Sequence, residues 1–243
     1  MDGMTTLAVF KWAMDPHDER VGVDGSVKWL ADKPAVGDDD HEVVRVACEI
    51  AGEGEVVGMT MASGDTAFAA ARGAKRTLVI EGVDAMAQPT ELAAALASAI
   101  KAQNSVDAVV IGDSEWQPMV APMLASELGW PCVLAVDEAR REGNSLVVTR
   151  RFGAGTQDVR VSAPAVLAVA ARREEEQRPG MRAILQARKL PVDAVPASVE
   201  DQACFTTQGT HAPETTPARI FDGSNPEEAV SQLISVLKSE GVL

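Results

Sequence analysis

The chain has 243 residues, 46% of them apolar, and a formal net charge of −14. That length suits one sizeable domain or one domain with a substantial extension, and the acidity argues against broad binding to nucleic acid or to an anionic membrane. Cys48, Cys132 and Cys204 match no metal spacing and are odd in number, there is no apolar run long enough to span a bilayer, and the opening MDGMTTLAVF lacks the basic region of an export signal; together these suggest a soluble protein of the reducing cytoplasm.

Taken in chain order, Thr6–Trp12 reads as a first strand, ended by Asp15-Pro16-His17-Asp18. Residues 19–36 read as a loop or small hairpin. The turn Gly37-Asp38-Asp39-Asp40 precedes a helix with Val43, Val44, Ala47 and Ile50 on one side; acidic residues suit the exposed N–H groups of a helix start. Glu55–Met61 is a second strand, followed by an alanine-rich helix over 66–72. Arg76–Ile80 is a third strand. Thr90–Gln103 is a helix with Thr90 as its cap, Val106–Ile111 a fourth strand, and Met119–Leu128 another helix. Cys132–Val136 reads as strand, then Leu146–Arg151 and Thr156–Val161 alternate as a hairpin would, with Gly153 and Gly155 at the bend. Ala165–Val169 is a short apolar strand. Strands alternating with helices predict a Rossmann-like three-layer α/β/α fold with a mainly parallel sheet, over residues 1–170.

Residues 171–223 break this rhythm with the charged run Arg172–Glu176, several prolines and a polar stretch at 201–218. They read as an extended arm. Ser224-Asn225-Pro226-Glu227 then reads as a capping box opening a helix with Val230, Leu233, Ile234 and Leu237 at helical spacing, ended by Gly241. Residues 224–243 are therefore expected to be a docking helix.

The usual catalytic patterns are missing. His17, His41 and His211 fit no HExxH motif, Ser63 and Ser114 no GxSxG elbow, and the chain has neither GxGxxG nor a P-loop. What remains is positional. The loops after Trp12, Met61 and Ile111 should leave a parallel sheet at one end, beside the Gly37–Asp40 turn, where ligands meet such sheets. Helix N-termini there suit phosphate. Yet Asp38, Asp39, Asp40, Asp65, Asp113 and Glu115 bring negative charge, so plain solvated helix caps are the competing reading. A second candidate is QRPGMRAILQARKLPV at 177–192, a basic stretch in an acidic chain with Met181, Ile184 and Leu185 among its charges. It reads as a protein contact or an amphipathic surface turn.

Four stretches carry a resemblance by their order and spacing. PMLASELGWP (122–131) resembles PMLAELLGWP, APAVLAV (163–169) resembles LPAVVT, ILQARKLPV (184–192) resembles IMKAKKKPI, and GAKR (73–76) resembles GADR. Through them nearly the whole chain resembles the beta subunit of electron transfer flavoprotein, the family that includes FixA-type proteins. The resemblance implies a partnership with an alpha subunit that carries the redox FAD. It also implies an adenine nucleotide site in the beta chain, holding AMP or, in bifurcating members, a second FAD. By position it assigns that site to Val9, Gly37, Asp38, Asp39, Asp40, Met61, Asp113, Ser114, Glu115, Trp116, Gln117 and Met119. It assigns recognition of an electron-donating dehydrogenase or other flavoprotein to Met181, Arg182, Ile184 and Leu185.

The departures fall where ligands and partners would touch. GDSEWQPMVAPM (112–123) stands where the family loop resembles GKQAIDGDTGQVGPM and is about three residues shorter. Gly37-Asp38 replaces an Asn-Pro turn, Ala62-Ser63 a Gly-Pro, and EEEQRPGM (174–181) replaces NEPRYPSL. Trp116 is placed either to stack on an adenine or isoalloxazine ring or to cap the shortened loop. The implied function is a beta-type subunit that shuttles electrons from a dehydrogenase to an acceptor, an electron carrier and not a catalyst by itself. The alternative is a docking or structural subunit of a flavoprotein complex that has lost its own nucleotide site.

Overall fold

A computed structural model describes residues 4–61, 64–113, 117–170, 178–197, 208–212, 214 and 218–243. Nine strands form one sheet: β1 (Thr5–Val9), β2 (Glu55–Met61), β3 (Arg76–Glu81), β4 (Val106–Gly112), β5 (Cys132–Glu142), β6 (Ser145–Phe152), β7 (Gly155–Ser162), β8 (Ala165–Val169) and β9 (Val192–Pro196). Their spatial order is β7-β6-β5-β8-β4-β1-β2-β3-β9. The run from β5 to β9 is parallel, while β6 and β7 add an antiparallel hairpin at one edge. The expected mainly parallel sheet and its hairpin are both present.

The period of two along each strand sorts side chains to two faces. Leu7 and Val9 of β1 point into a core with α3 (Pro89–Lys101) and α4 (Val120–Leu128), represented by Leu92, Leu96 and Leu124. Ala8 and Phe10 point the other way, against Val43, Val44 and Ala47 of α1 (Asp40–Ala51) and Phe68 of α2 (Ala67–Ala70). Helices on both faces make the three-layer α/β/α arrangement. With no tyrosine, alanine and β-branched residues fill most of both layers. Gly58 shows how close the layers come: a Cβ there would lie 2.8 Å from Ala69 Cβ.

The local signals differ in how well they hold. Gly129 ends α4 in the left-handed region (φ 68), with Trp130 N–H donating to Ala125 O at 3.0 Å, so LGWP is a helix stop. Thr90 is not the cap of α3. The helix starts at Pro89, Gln88 is its N-cap, and Glu91 Oε2 accepts the Gln88 N–H at 3.3 Å. The first strand stops at Val9, and Trp12–Ala13 pairs instead with Ala35–Val36. Cys132–Val136 is only the start of β5, which continues through the charged Asp137–Glu142 to pair with β6. Inside the stretch expected as an arm lie α5 (Met181–Ala187) and β9, and β9 pairs with β3 as the last strand of the sheet.

The chain divides into two compact units. One holds residues up to 20 and 27–208 and contains the sheet. The other comprises 21–26 and 209–243. In it, α6 (Pro226–Ser239) has Asn225 as its N-cap, with no side-chain cap hydrogen bond, so the expected capping box at Ser224 is not formed. Arg219 pairs with Glu240 at 2.9 Å, Thr210 Oγ1 donates to Gly25 O at 2.5 Å, and Gly241 takes φ 71 just past the helix.

Candidate functional site

Strands β4, β1 and β2 lie side by side and parallel, so their C-terminal ends bring Ile111-Gly112, Val9 and Met61 to one edge of the sheet. Lys11 follows β1 and Gly37–Asp40 leads into α1. With Leu92 and Leu96 from α3, Gln117 and Val120, these residues line a cavity of about 50 Å³. One wall is apolar, from Val9, Met61, Leu92, Leu96, Ile111 and Val120. The other is polar, from Lys11, Asp39, Asp40 and Gln117.

The polar wall is tightly organised. Asp40 is buried, and its Oδ2 accepts the N–H groups of Gly37 at 2.9 Å and Lys11 at 3.1 Å. Burial holds its carboxyl pKa well above the usual range, and Asp39 beside it pushes the same way. Asp39 is only 4% exposed. Burial lifts its pKa to about 6; its own N–H and Lys11 oppose the shift, while Asp113 and Asp38 add to it. A Cβ on Gly112 would lie 2.5 Å from Asp39 Oδ2 and 2.6 Å from its Cγ. The Asp39 carboxylate therefore rests on bare backbone at the end of β4, a contact only glycine permits.

Lys11 closes the arrangement. Its Nζ donates to Gln117 Oε1 at 2.6 Å, and Gln117 Nε2 donates to Ala87 O at 3.1 Å. These two bonds tie together the segments after β1, after β4 and before α3. Burial lowers the Lys11 pKa to about 8 against the attraction of Asp40 and Asp39. Two unit charges at roughly 4 Å interact by about 4 kcal/mol at the effective dielectric of a protein edge, so these groups set one another's charge.

Of the residues assigned from sequence, Val9, Gly37, Asp39, Asp40, Met61 and Gln117 meet at this cavity. Three others do not line it. Asp38 is exposed, and Met119 is 51% exposed just before α4. Asp113 faces aside: its Oδ2 accepts the N–H of Ala135, which sits at φ 58 in β5. Ser114, Glu115 and Trp116 lie outside the described residues. Sequence reasoning missed Lys11, Leu92, Leu96, Ile111, Gly112 and Val120. Lys11 had a signal, as a cation in the place of a glycine-rich turn, and Leu92 and Leu96 had the i, i+4 spacing of one helix face. On α5, Met181 (71% exposed), Arg182 and Leu185 face solvent, Ile184 is half-buried, and Ala187 is the buried anchor.

The cavity can hold protons on Asp39, Asp40 and Lys11, and among the described residues its lining contains no His, Ser or Cys as a nucleophile or general base. No cluster of His, Cys, Asp and Glu suited to a metal occurs among the described residues. Cys48 and Cys132 are half-buried, and burial raises both thiol pKa values, Cys132 to about 11. Both thiols therefore stay protonated and unreactive at neutral pH.

The profile of the electron transfer flavoprotein domain matches residues 32–200, which span β2, β4, α1 and every loop of the cavity wall except the one after β1. This chain belongs to the electron transfer flavoprotein family. It is 27% identical over 241 residues to the electron transfer flavoprotein subunit beta of Syntrophomonas wolfei subsp. wolfei (strain DSM 2245B / Goettingen), an alignment covering 98% of this chain and 88% of that one. The chain is accordingly a beta-type subunit of an electron transfer flavoprotein. No helix among its described residues is long and apolar enough to cross a membrane.

Proposed function

We propose that this beta-type subunit forms a heterodimer with an alpha subunit that carries FAD, and that the pair moves electrons in the cytoplasm from a dehydrogenase or other flavoprotein to an acceptor. The family match over residues 32–200 is the observation that carries this reading. A bound flavin supplies the one- and two-electron chemistry, and the protein supplies its position and electrostatic field.

Two exposed surfaces support the partnerships. On α6, Val230, Leu233 and Ile234 are 54%, 43% and 40% exposed and recur at helical spacing. Such a stripe suits docking against a partner's apolar surface. On α5, Met181 and Leu185 stand beside Arg182, an apolar knob with a cationic neighbour that suits an electron donor with an acidic rim. For the chain's own cavity, AMP, a second FAD and no nucleotide are the alternatives. A volume of about 50 Å³ and an acidic wall favour the last, and with it the reading of a docking subunit that has lost its nucleotide site.

The test is reconstitution. Reduction of the alpha-bound flavin by a donor is measured with and without this chain, and a strong dependence on the chain is expected. Equal rates in its absence would reject the heterodimer function.

A further inference from the structure

We infer that Asp39 is a selectivity residue that fits the cavity to an uncharged or N–H-donating group and shuts out phosphate-bearing nucleotides. The inference deepens the beta-type reading, which supplies only the choice of AMP as the probe. Its basis is the geometry at the end of β4.

Gly112 ends β4 with bare backbone, the kind of place a ligand atom approaches closely. Asp39 already takes that place, since its Oδ2 would lie 2.5 Å from a Cβ on Gly112. The carboxylate is almost fully buried, and among the described residues no other residue donates a hydrogen bond to it. It thus presents acceptor capacity to the cavity, which calls for a donor and not another anion. Asp40 lines the same wall, and Asp113 and Asp38 add their fields. Lys11, the one cation of the lining among the described residues, is bonded through its ammonium to Gln117, and Asp40 and Asp39 both act on its charge. A phosphate would place its charges beside these carboxylates with Lys11 already committed. The cavity measures about 50 Å³, whereas small-molecule sites commonly occupy roughly 300 Å³ or more. The residues present do not fit a nucleotide phosphate.

The experiment uses the full chain at pH 8, where Asp39 is ionised. AMP is titrated calorimetrically into the wild type, Asp39→Asn and Asp39→Gly, with melting curves confirming that each variant is folded. Either variant is expected to bind AMP at least about tenfold more tightly than the wild type. The wild type, denatured after purification, should release no adenine nucleotide. One equivalent of AMP or FAD released from the wild-type chain would overturn the inference, as would folded variants that bind AMP no better than wild type. The release measurement stands even if both variants misfold. AMP retained in a working heterodimer would reject this inference and leave the function intact. A nucleotide-free chain that supports no flavin reduction would do the reverse.

Discussion

Both ends of β4 meet a buried carboxylate, and the two are treated differently. Near the start of the strand Asp107 is 7% exposed, forms an ion pair with Arg141 of β5, and accepts from Thr6 Oγ1 at 3.4 Å. Burial raises its pKa, and Arg141 and Thr6 oppose the shift. At the far end Asp39 is 4% exposed and rests on Gly112, with no ion pair or side-chain donor to its carboxylate among the described residues. The first carboxylate ties β1, β4 and β5 together. The second faces a cavity and carries an electrostatic cost that packing alone does not require. The contrast separates an end of β4 where a buried charge is paired from an end where a buried charge lines a cavity, the arrangement that marks a candidate site.

The largest expected effect comes from breaking the stable end. Arg141→Ala strands Asp107 and should destabilise the chain by about 3 kcal/mol, read as a lower midpoint in urea unfolding. At the other end the sign reverses. Asp39→Asn should stabilise the chain at pH 7 by on the order of 2 kcal/mol, because the charged form of Asp39 is the one disfavoured on folding. The pH profile sharpens this. The folded Asp39 carboxyl has a pKa of about 6 against an ordinary 3.8. Between those values the folded chain keeps a proton that the unfolded chain has lost, so stability should fall as pH rises from about 4 to about 6. Asp39→Asn should remove that share of the slope and leave the share from Asp40. An unchanged slope would show that Asp39 is not strained by burial.

Gln117→Ala should have a smaller effect, a loss of about 1 kcal/mol, since it removes one neutral acceptor from Lys11 and one donor from Ala87 O. Thr6→Val should cost less again, because the bond to Asp107 is long. Met181→Ala and Arg182→Glu lie far from both ends of β4 in sequence and should leave the unfolding midpoint within roughly 0.5 kcal/mol. They should slow electron exchange with a donor, measured by stopped-flow flavin reduction. A shift in stability without a change in exchange would move α5 from a contact surface to a structural role.

The sheet was largely legible because its buried strands are short apolar runs such as AVLAV and VDAVVIG, bounded by glycine, proline and acidic turns. One strand and the second half of another escaped for physical reasons. Val192–Pro196 is mostly exposed and lies at the sheet edge, so its sequence shows no buried face. Asp137–Glu142 is charged because it leaves the core and pairs with a hairpin. At the site, sequence ended the second strand at Met61 and put the Gly37–Asp40 turn beside the strand ends, while the first strand, expected to run to Trp12, stops at Val9. It did not distinguish Asp39, folded onto Gly112, from Asp38, which faces water. That difference depends on the first turn of α1 and on a contact between residues more than seventy positions apart in the chain. The Asp107–Arg141 pair was equally hidden, since nothing local links a strand aspartate to an arginine in the extended part of β5.

The most direct test of the central claim is native mass spectrometry of this chain co-expressed with its alpha-type partner, followed by denaturation and identification of the released nucleotides. A one-to-one heterodimer that releases FAD and no AMP is the expected result. A chain that remains a monomer, or a complex that releases no flavin, would contradict the assignment of this subunit to electron transfer.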